Sequence, residues 1–340
     1  MRAGILLLLL PLLWMSLPLQ AATGQQRALA AGRGLVGTPA PRLVLTTIDG
    51  QTIDLAHRYG KQAVYLKFWA TWCAPCRAQM PHLERTFEQA GPDLAVIAID
   101  VGFDDTLADV RKYRRAMKLG MPIVFDRDGA LGAAFNLRVT PQHVVIGRDG
   151  TIVYVGHEAD ARLDAALVAA RTAAPRPVAA SVPEPLQEEA PLRVGDRLPA
   201  FTTQTLDGAV FHAHDAAARR PTVLVFMSPW CESYLAGSRP ALAAECRAVR
   251  EQVARLAGVG QVRWLGIASG LWAERDDLAR YRDQHGIRIP LTLDASGALF
   301  RRFHVMHVPT LLVADAQGRL VRRVEGVDTT LAAQLQTLAR

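Results

Sequence analysis

The stretch Phe68-Trp69-Ala70-Thr71-Trp72-Cys73-Ala74-Pro75-Cys76 constrains this chain more than any other. The apolar run Ala63 to Trp69 reads as a strand, and a helix is expected to open at the first cysteine. Two thiols at Cys-x-x-Cys spacing then meet the unpaired N–H groups and positive dipole end of a helix N-terminus, which stabilise a thiolate. On this reading Cys73 is exposed and nucleophilic, while Cys76, one turn on, is shielded and resolves a mixed disulfide. A metal half-site is the competing reading, but a zinc site wants a second Cys/His pair and none has suitable spacing. A structural disulfide closing so small a loop would stabilise little.

The halves of the chain repeat each other. Thr47-Ile48-Asp49-Gly50 recurs as Thr205-Leu206-Asp207-Gly208, and Phe68, Trp72 and Cys73 recur as Phe226, Trp230 and Cys231, all 158 positions on (231 − 73). Asp126, Gly129-Ala130-Leu131, Phe135 and Pro141 recur as Asp294, Gly297-Ala298-Leu299, Phe303 and Pro309, at an offset of 168 (309 − 141). The second copy therefore carries about ten extra residues between the two groups of motifs. Ala173 to Pro191, with five prolines among alanines and acids, separates the copies as a semi-extended linker. The implied organisation is a first domain over 36–172, a linker over 173–192 and a degenerate second domain over 193–340.

The N-terminus reads as an export signal over residues 1–22: Arg2, an apolar Ile5–Leu17, then Leu19-Gln20-Ala21-Ala22 for cleavage. The apolar run is short for a membrane span. The expected location is the periplasm, an oxidising compartment, with an uncleaved anchor the less favoured alternative. Thr23 to Gly37 reads as a flexible leader; its Gly32–Gly37 match to a dinucleotide fingerprint lacks a preceding strand. The net charge of +7 is spread through the chain, not clustered in blocks, so no nucleic-acid partner is expected. Four cysteines are too few for a disulfide-stapled scaffold and read as chemistry.

In the first copy, strands are expected at Ala63–Trp69, Leu94–Asp100, Ile123–Phe125, His143–Ile146 and Ile152–Val155. Helices are expected at Cys73–Ala90 and Asp104–Lys118. Strands alternating with helices give an α/β layered fold, here two tandem domains each with a central mixed sheet flanked by helices. The first copy resembles a thioredoxin-fold domain of the periplasmic TlpA/ResA type. The carriers are Phe68 to Cys76, Pro81 in the next helix, and Val139-Thr140-Pro141. The resemblance implies that Pro141 is cis and lies against Cys73, that the Thr140 backbone pairs with an extended client chain, and that Trp72 walls the site. Pro75, inside the motif, would help set its potential.

One departure stands out. A buried acid commonly precedes the Phe-Trp pair in such proteins, and a second acid often follows the Cys-x-x-Cys; here those places hold Lys67 and Gln79. An ammonium near Cys76 would favour the thiolate and make the disulfide more oxidising. Alternatively, Lys67 snorkels from a strand edge.

In the second copy Tyr234 stands where the resolving cysteine would be, with Pro309 as the matching cis-proline candidate. Cys246 is 15 residues beyond Cys231 (246 − 231), ~22 Å on one helix, whereas a disulfide needs Cα atoms within ~7 Å. It is therefore read as a buried helix residue, although a break near Gly237 or Pro240 could shorten the path. Cys231 has three competing roles: a relic in a docking domain, a single thiol forming mixed disulfides, or a soft-metal ligand with His304, Met306 and His307. The whole reads as a protein thiol-disulfide oxidoreductase exchanging disulfides with client proteins, with no flavin or nicotinamide cofactor. The family implies the reducing direction, re-reduction by a membrane electron donor, and service to cytochrome c maturation or copper-site assembly. A copper metallochaperone using Cys231 and a disulfide isomerase are the alternatives.

Overall fold

The computed structural model describes residues 22–174, 191–213, 219–258 and 261–339. The expected export signal lies outside these residues except for Ala22, and most of the expected linker does too.

The first unit runs α1 (Gly24–Gly32), β1 (Val44–Thr46), β2 (Thr52–Asp54), β3 (Ala63–Trp69), α2 (Ala74–Ala78), α3 (Met80–Glu88), β4 (Leu94–Asp100), α4 (Leu107–Met117), β5 (Ile123–Phe125), α5 (Ala130–Ala134), β6 (Gln142–Ile146), β7 (Ile152–Gly156) and α6 (Ala161–Thr172). The second runs β8 (Thr202–Gln204), β9 (Val210–His212), β10 (Thr222–Met227), α7 (Cys231–Tyr234), α8 (Pro240–Leu256), β11 (Arg263–Ser269), α9 (Arg275–His285), β12 (Leu291–Asp294), α10 (Ala298–Arg302), β13 (Thr310–Ala314), β14 (Leu320–Glu325) and α11 (Leu331–Leu338).

Each unit has a five-stranded mixed sheet, ordered β5-β4-β3-β6-β7 in the first and β12-β11-β10-β13-β14 in the second. The repeat read from sequence is thus a repeat of topology, and the chain is two tandem thioredoxin-like domains. The central strands β3 and β10 pair parallel on one side and antiparallel on the other. Every residue of β3 is buried, which is why its sequence is a continuous apolar run interrupted only by Lys67.

Two expectations are corrected here. The helix expected from Cys73 to Ala90 is two helices, interrupted at Gln79. Pro81 has no N–H to continue the first helix and sits in the opening turn of the second, where none is needed. The segment expected to be a flexible leader contains α1, whose Thr23 and Gln26 form a reciprocal capping box. Ala28 and Ala31 of α1 are buried, and Asn136 Nδ2 donates to Ala31 O. Arg27, 5% exposed, reaches Asp277 of the second unit at 2.7 Å.

Candidate active site

Cys73 is the N-cap of α2, and its sulfur accepts a hydrogen bond from Cys76 N at 3.2 Å. The two cysteines are joined as a disulfide with Cα atoms 5.2 Å apart. Thr140–Pro141 is a cis peptide bond, and Thr140 O lies 3.4 Å from Cys73 Sγ. The site is therefore assembled from the end of β3, the start of α2 and the loop entering β6. Pro75 occupies the first turn of α2, and Trp72 is fixed by donating Nε1 to Phe103 O at 2.7 Å.

Lys67 does not snorkel from an edge. It lies in the central strand, wholly buried, with Nζ 3.4 Å from Cys76 O. Burial lowers its pKa from 10.5 to about 7, so the amine changes charge near neutrality beneath the second cysteine. Across the strand pair, Lys67 stands opposite His143. His143 is buried between Tyr65 OH (2.8 Å, Nδ1) and Gln79 Oε1 (2.8 Å, Nε2). Acceptance by Gln79 Oε1 assigns the ring proton to Nε2, so Nδ1 accepts from the tyrosine. Burial, then the neighbouring Lys67, hold this imidazole well below its usual pKa, and it is neutral. Gln79 Nε2 in turn donates to His157 O (3.2 Å), and the His157 ring contacts Pro141 O at 2.7 Å. A polar chain thus runs behind the disulfide from Tyr65 to the cis-proline. Gln79 was singled out in the sequence only as an absent acid. His143 and His157 were not singled out at all, because an isolated histidine in a strand carries no local signal.

The expectation that Cys73 is exposed is overturned: its accessible surface is 0%. The second unit covers it. Trp230 stacks on Trp72 with ring centroids 5.2 Å apart, and Tyr234 OH accepts from Ala74 N at 3.2 Å. Trp272 Nε1 donates to Thr140 Oγ1 at 3.2 Å. Arg239 donates to Asp105 Oδ1 (2.5 Å), to Thr71 Oγ1 (2.9 Å) and to Asp104 O. Asp105 also accepts from Thr71 N at 2.7 Å, so the loop before Cys73 is tied to the second unit through one carboxylate.

The two units meet face to face with near two-fold symmetry. Asp104 N donates to Met306 O and Trp272 N to Arg138 O, both at 2.8 Å, and these pairs are related by the 168-residue offset (272 − 104; 306 − 138). Trp72 Nε1 to Phe103 O is matched by Trp230 Nε1 to Leu271 O. Asp104 and Trp272 share positive φ of 55° and 59°. Arg138 O, three residues before the first cis-proline, is therefore taken by Trp272 N, and the Thr140 hydroxyl by the Trp272 indole.

Cys231 is also not as expected. It is bonded to Cys246, with Cα atoms 6.3 Å apart. The helix assumed to hold these residues apart is broken: α7 ends at Tyr234, the chain turns through Leu235–Arg239, and Pro240 opens α8. A disulfide sulfur offers no thiolate, so the soft-metal set is not assembled. Met306 O is taken by Asp104 N, and His307 Nδ1 lies 3.6 Å from the Asp104 carboxylate, which raises its pKa. His304 adopts a positive φ of 48°, as Asn136 does at the matching place. Val308–Pro309 is cis, like its counterpart.

A buried dithiol–disulfide at a helix start, packed against a cis-proline on a thioredoxin-like sheet, defines a thiol-disulfide oxidoreductase. The pattern of the AhpC/TSA family matches residues 36–155 and 194–323, and the chain belongs to that family. Among its relatives, the thioredoxin-like protein YneN of Bacillus subtilis is 33% identical over 123 residues, 35% of this chain and 71% of that protein. The thiol-disulfide oxidoreductase ResA of Bacillus thuringiensis is 29% identical over 119 residues, 35% of this chain and 67% of that one. Among solved structures, a thiol:disulfide interchange protein of the thioredoxin family from Chlorobium tepidum aligns at 27% identity and a TM-score of 0.34, covering 40% of this chain and 97% of that one.

Proposed function

We propose that this is an exported, periplasmic oxidoreductase that reduces disulfides in client proteins through Cys73 and Cys76, within a catalytic unit over residues 36–172. The observation that carries the reading is the Cys73 sulfur held at a helix N-cap, 3.4 Å from the carbonyl preceding a cis-proline. Once the pair is reduced, the Cys73 thiolate attacks a client disulfide and the client's leaving sulfur departs as a thiolate. The Cys76 thiolate then attacks Cys73 Sγ, frees the reduced client and restores the Cys73–Cys76 bond. A membrane electron donor resets the pair by supplying two electrons. Lys67, titrating near pH 7 beside Cys76, stands in for the missing carboxylates as the group that takes up and returns the proton.

The second unit, residues 193–340, serves as a cover. With Arg138 O held by Trp272 N and Ala74 N held by Tyr234 OH, a client strand enters only when the faces part.

Cys76→Ser, which leaves Cys73 unable to be released, is expected to accumulate client mixed disulfides in cells. Their absence, or their persistence in Cys73→Ser/Cys76→Ser, would overturn the reading. A redox potential for Cys73–Cys76 near ~−270 mV supports the reducing direction, and one above ~−200 mV assigns the protein to isomerisation or oxidation instead.

A further inference from the structure

We propose that Cys231–Cys246 is a second exchangeable disulfide, opened by an external thiol that attacks Cys246 from a cavity in the second unit, and that its opening unlatches the cover over Cys73.

Three observations converge. The first is position. Cys246 Sγ lies 3.9 Å from Val308 O, the carbonyl preceding the second cis-proline, as Cys73 Sγ lies 3.4 Å from Thr140 O. The lost Cys-x-x-Cys has thus been replaced by a disulfide built from a different second residue in the equivalent place. The second is access. A cavity of about 350 Å³ is lined by Cys246, Ser228 and Pro309 together with apolar residues of α8 and the sheet. Ser228 Oγ, in a residue only 3% exposed, has no hydrogen-bond partner among the described residues. A buried hydroxyl left unpaired beside a disulfide and a cavity awaits a polar group brought by an occupant. Arg250, held by Glu232, and the exposed Arg288 also line the space, which suits a thiol that carries negative charge. Cys231, 1% exposed, is not among the lining residues, so the attacked sulfur is Cys246.

The third is what the bond encloses. The 15-residue separation between the cysteines spans both Tyr234 and Arg239, the side chains that grip Ala74, Thr71, Asp104 and Asp105. The crosslink ties the start of α7 to α8 and closes the loop that carries both gripping side chains, beside the anchors that Glu232 finds in Arg250 and Tyr281 and the burial of Leu235.

The chemistry balances with two thiols. A thiolate attacks Cys246 Sγ, the Sγ–Sγ bond breaks, and its electron pair leaves on Cys231, which takes a proton from water. A second thiolate attacks the external sulfur of the mixed disulfide, giving the oxidised external disulfide and a Cys246 thiolate, which is protonated in turn.

The test uses the full chain as Cys73→Ser/Cys76→Ser, so its first readout does not depend on the function proposed for that pair. Folded protein is exposed to graded reduced glutathione, quenched in acid, and each cysteine is read by peptide mass spectrometry. The expected result is a glutathione adduct on Cys246 in about tenfold excess over Cys231, with the near-ultraviolet circular dichroism still native. A bond that stays closed until the protein is unfolded, or an adduct mainly on Cys231, overturns the exchange site. The latch is read on the parent chain as the alkylation rate of reduced Cys73. Breaking Cys231–Cys246 is expected to raise it by about tenfold, and Arg239→Ala with that bond intact by a similar factor, through loss of its charge-assisted hydrogen bonds. An unchanged rate on breaking Cys231–Cys246 overturns the latch, whatever Arg239→Ala does.

Discussion

Replacing Lys67 by methionine removes a buried amine while keeping roughly the same volume. In the folded chain the amine titrates at about 7, against 10.5 when free. Below pH 7 it is charged in both states, and burying the charge penalises the folded state in full. Between 7 and 10.5 only the unfolded state holds the proton, so stability rises with pH across that window and the penalty is gone above it. At 1.36 kcal/mol per pKa unit the full penalty is roughly 5 kcal/mol. Removing Lys67 also leaves Cys76 O without its 3.4 Å donor, a loss of about 1 kcal/mol. Lys67→Met is thus expected to stabilise the oxidised protein by about 4 kcal/mol at pH 6 and to approach parity near pH 10. Urea unfolding of both proteins at pH 6, 8 and 10, with disulfides intact, measures the difference. A gain that does not change with pH, or a variant less stable at pH 6, would refute the reading that burial brings the Lys67 amine down to about 7. The same substitution removes positive charge beside the Cys76 thiolate, so the Cys73–Cys76 potential should move in the reducing direction.

The Asp126 carboxyl is raised by burial from 3.8 to about 7. Asp126→Asn should therefore gain stability relative to the parent as pH rises from about 4 to 7 and then level off, as read from unfolding midpoints. Tyr234→Phe keeps the edge contact with Trp72 but loses the bond to Ala74 N. It should raise the alkylation rate of reduced Cys73 about fivefold, for ~1 kcal/mol of lost closure. Arg27→Ala breaks the bridge from α1 to Asp277. Limited proteolysis should then cut within residues 24–32 sooner than in the parent, and equal cutting times would show that the Arg27 bridge does not hold α1.

Much of the fold was legible. The apolar runs at Ala63–Trp69, Leu94–Asp100 and Ile123–Phe125 are β3, β4 and β5 residue for residue, because strands buried on both faces are written as unbroken apolar sequence. The offsets of 158 and 168 foretold two like sheets. The capping box at Thr23 and Gln26 was present to be read, and the expectation of a flexible leader passed over it. The Cys231–Cys246 pairing was hidden by the assumption of one continuous helix, although Gly237 and Pro240 marked the break. The burial of Cys73 had no local signature whatever. It arises from residues 157 to 199 positions away, Trp230, Tyr234 and Trp272, meeting the site only after both units have folded (230 − 73; 272 − 73).

Because both faces of the closed pair belong to one polypeptide, dilution cannot separate them. A tethered face competes at an effective concentration of about the millimolar order, whatever the amount of protein. A client's apparent affinity is its intrinsic affinity scaled by the open fraction. On the proposed function, weak and accidental encounters with thiols are therefore disfavoured, and a client reaches the sulfur in proportion to how well it competes with the chain's own second face.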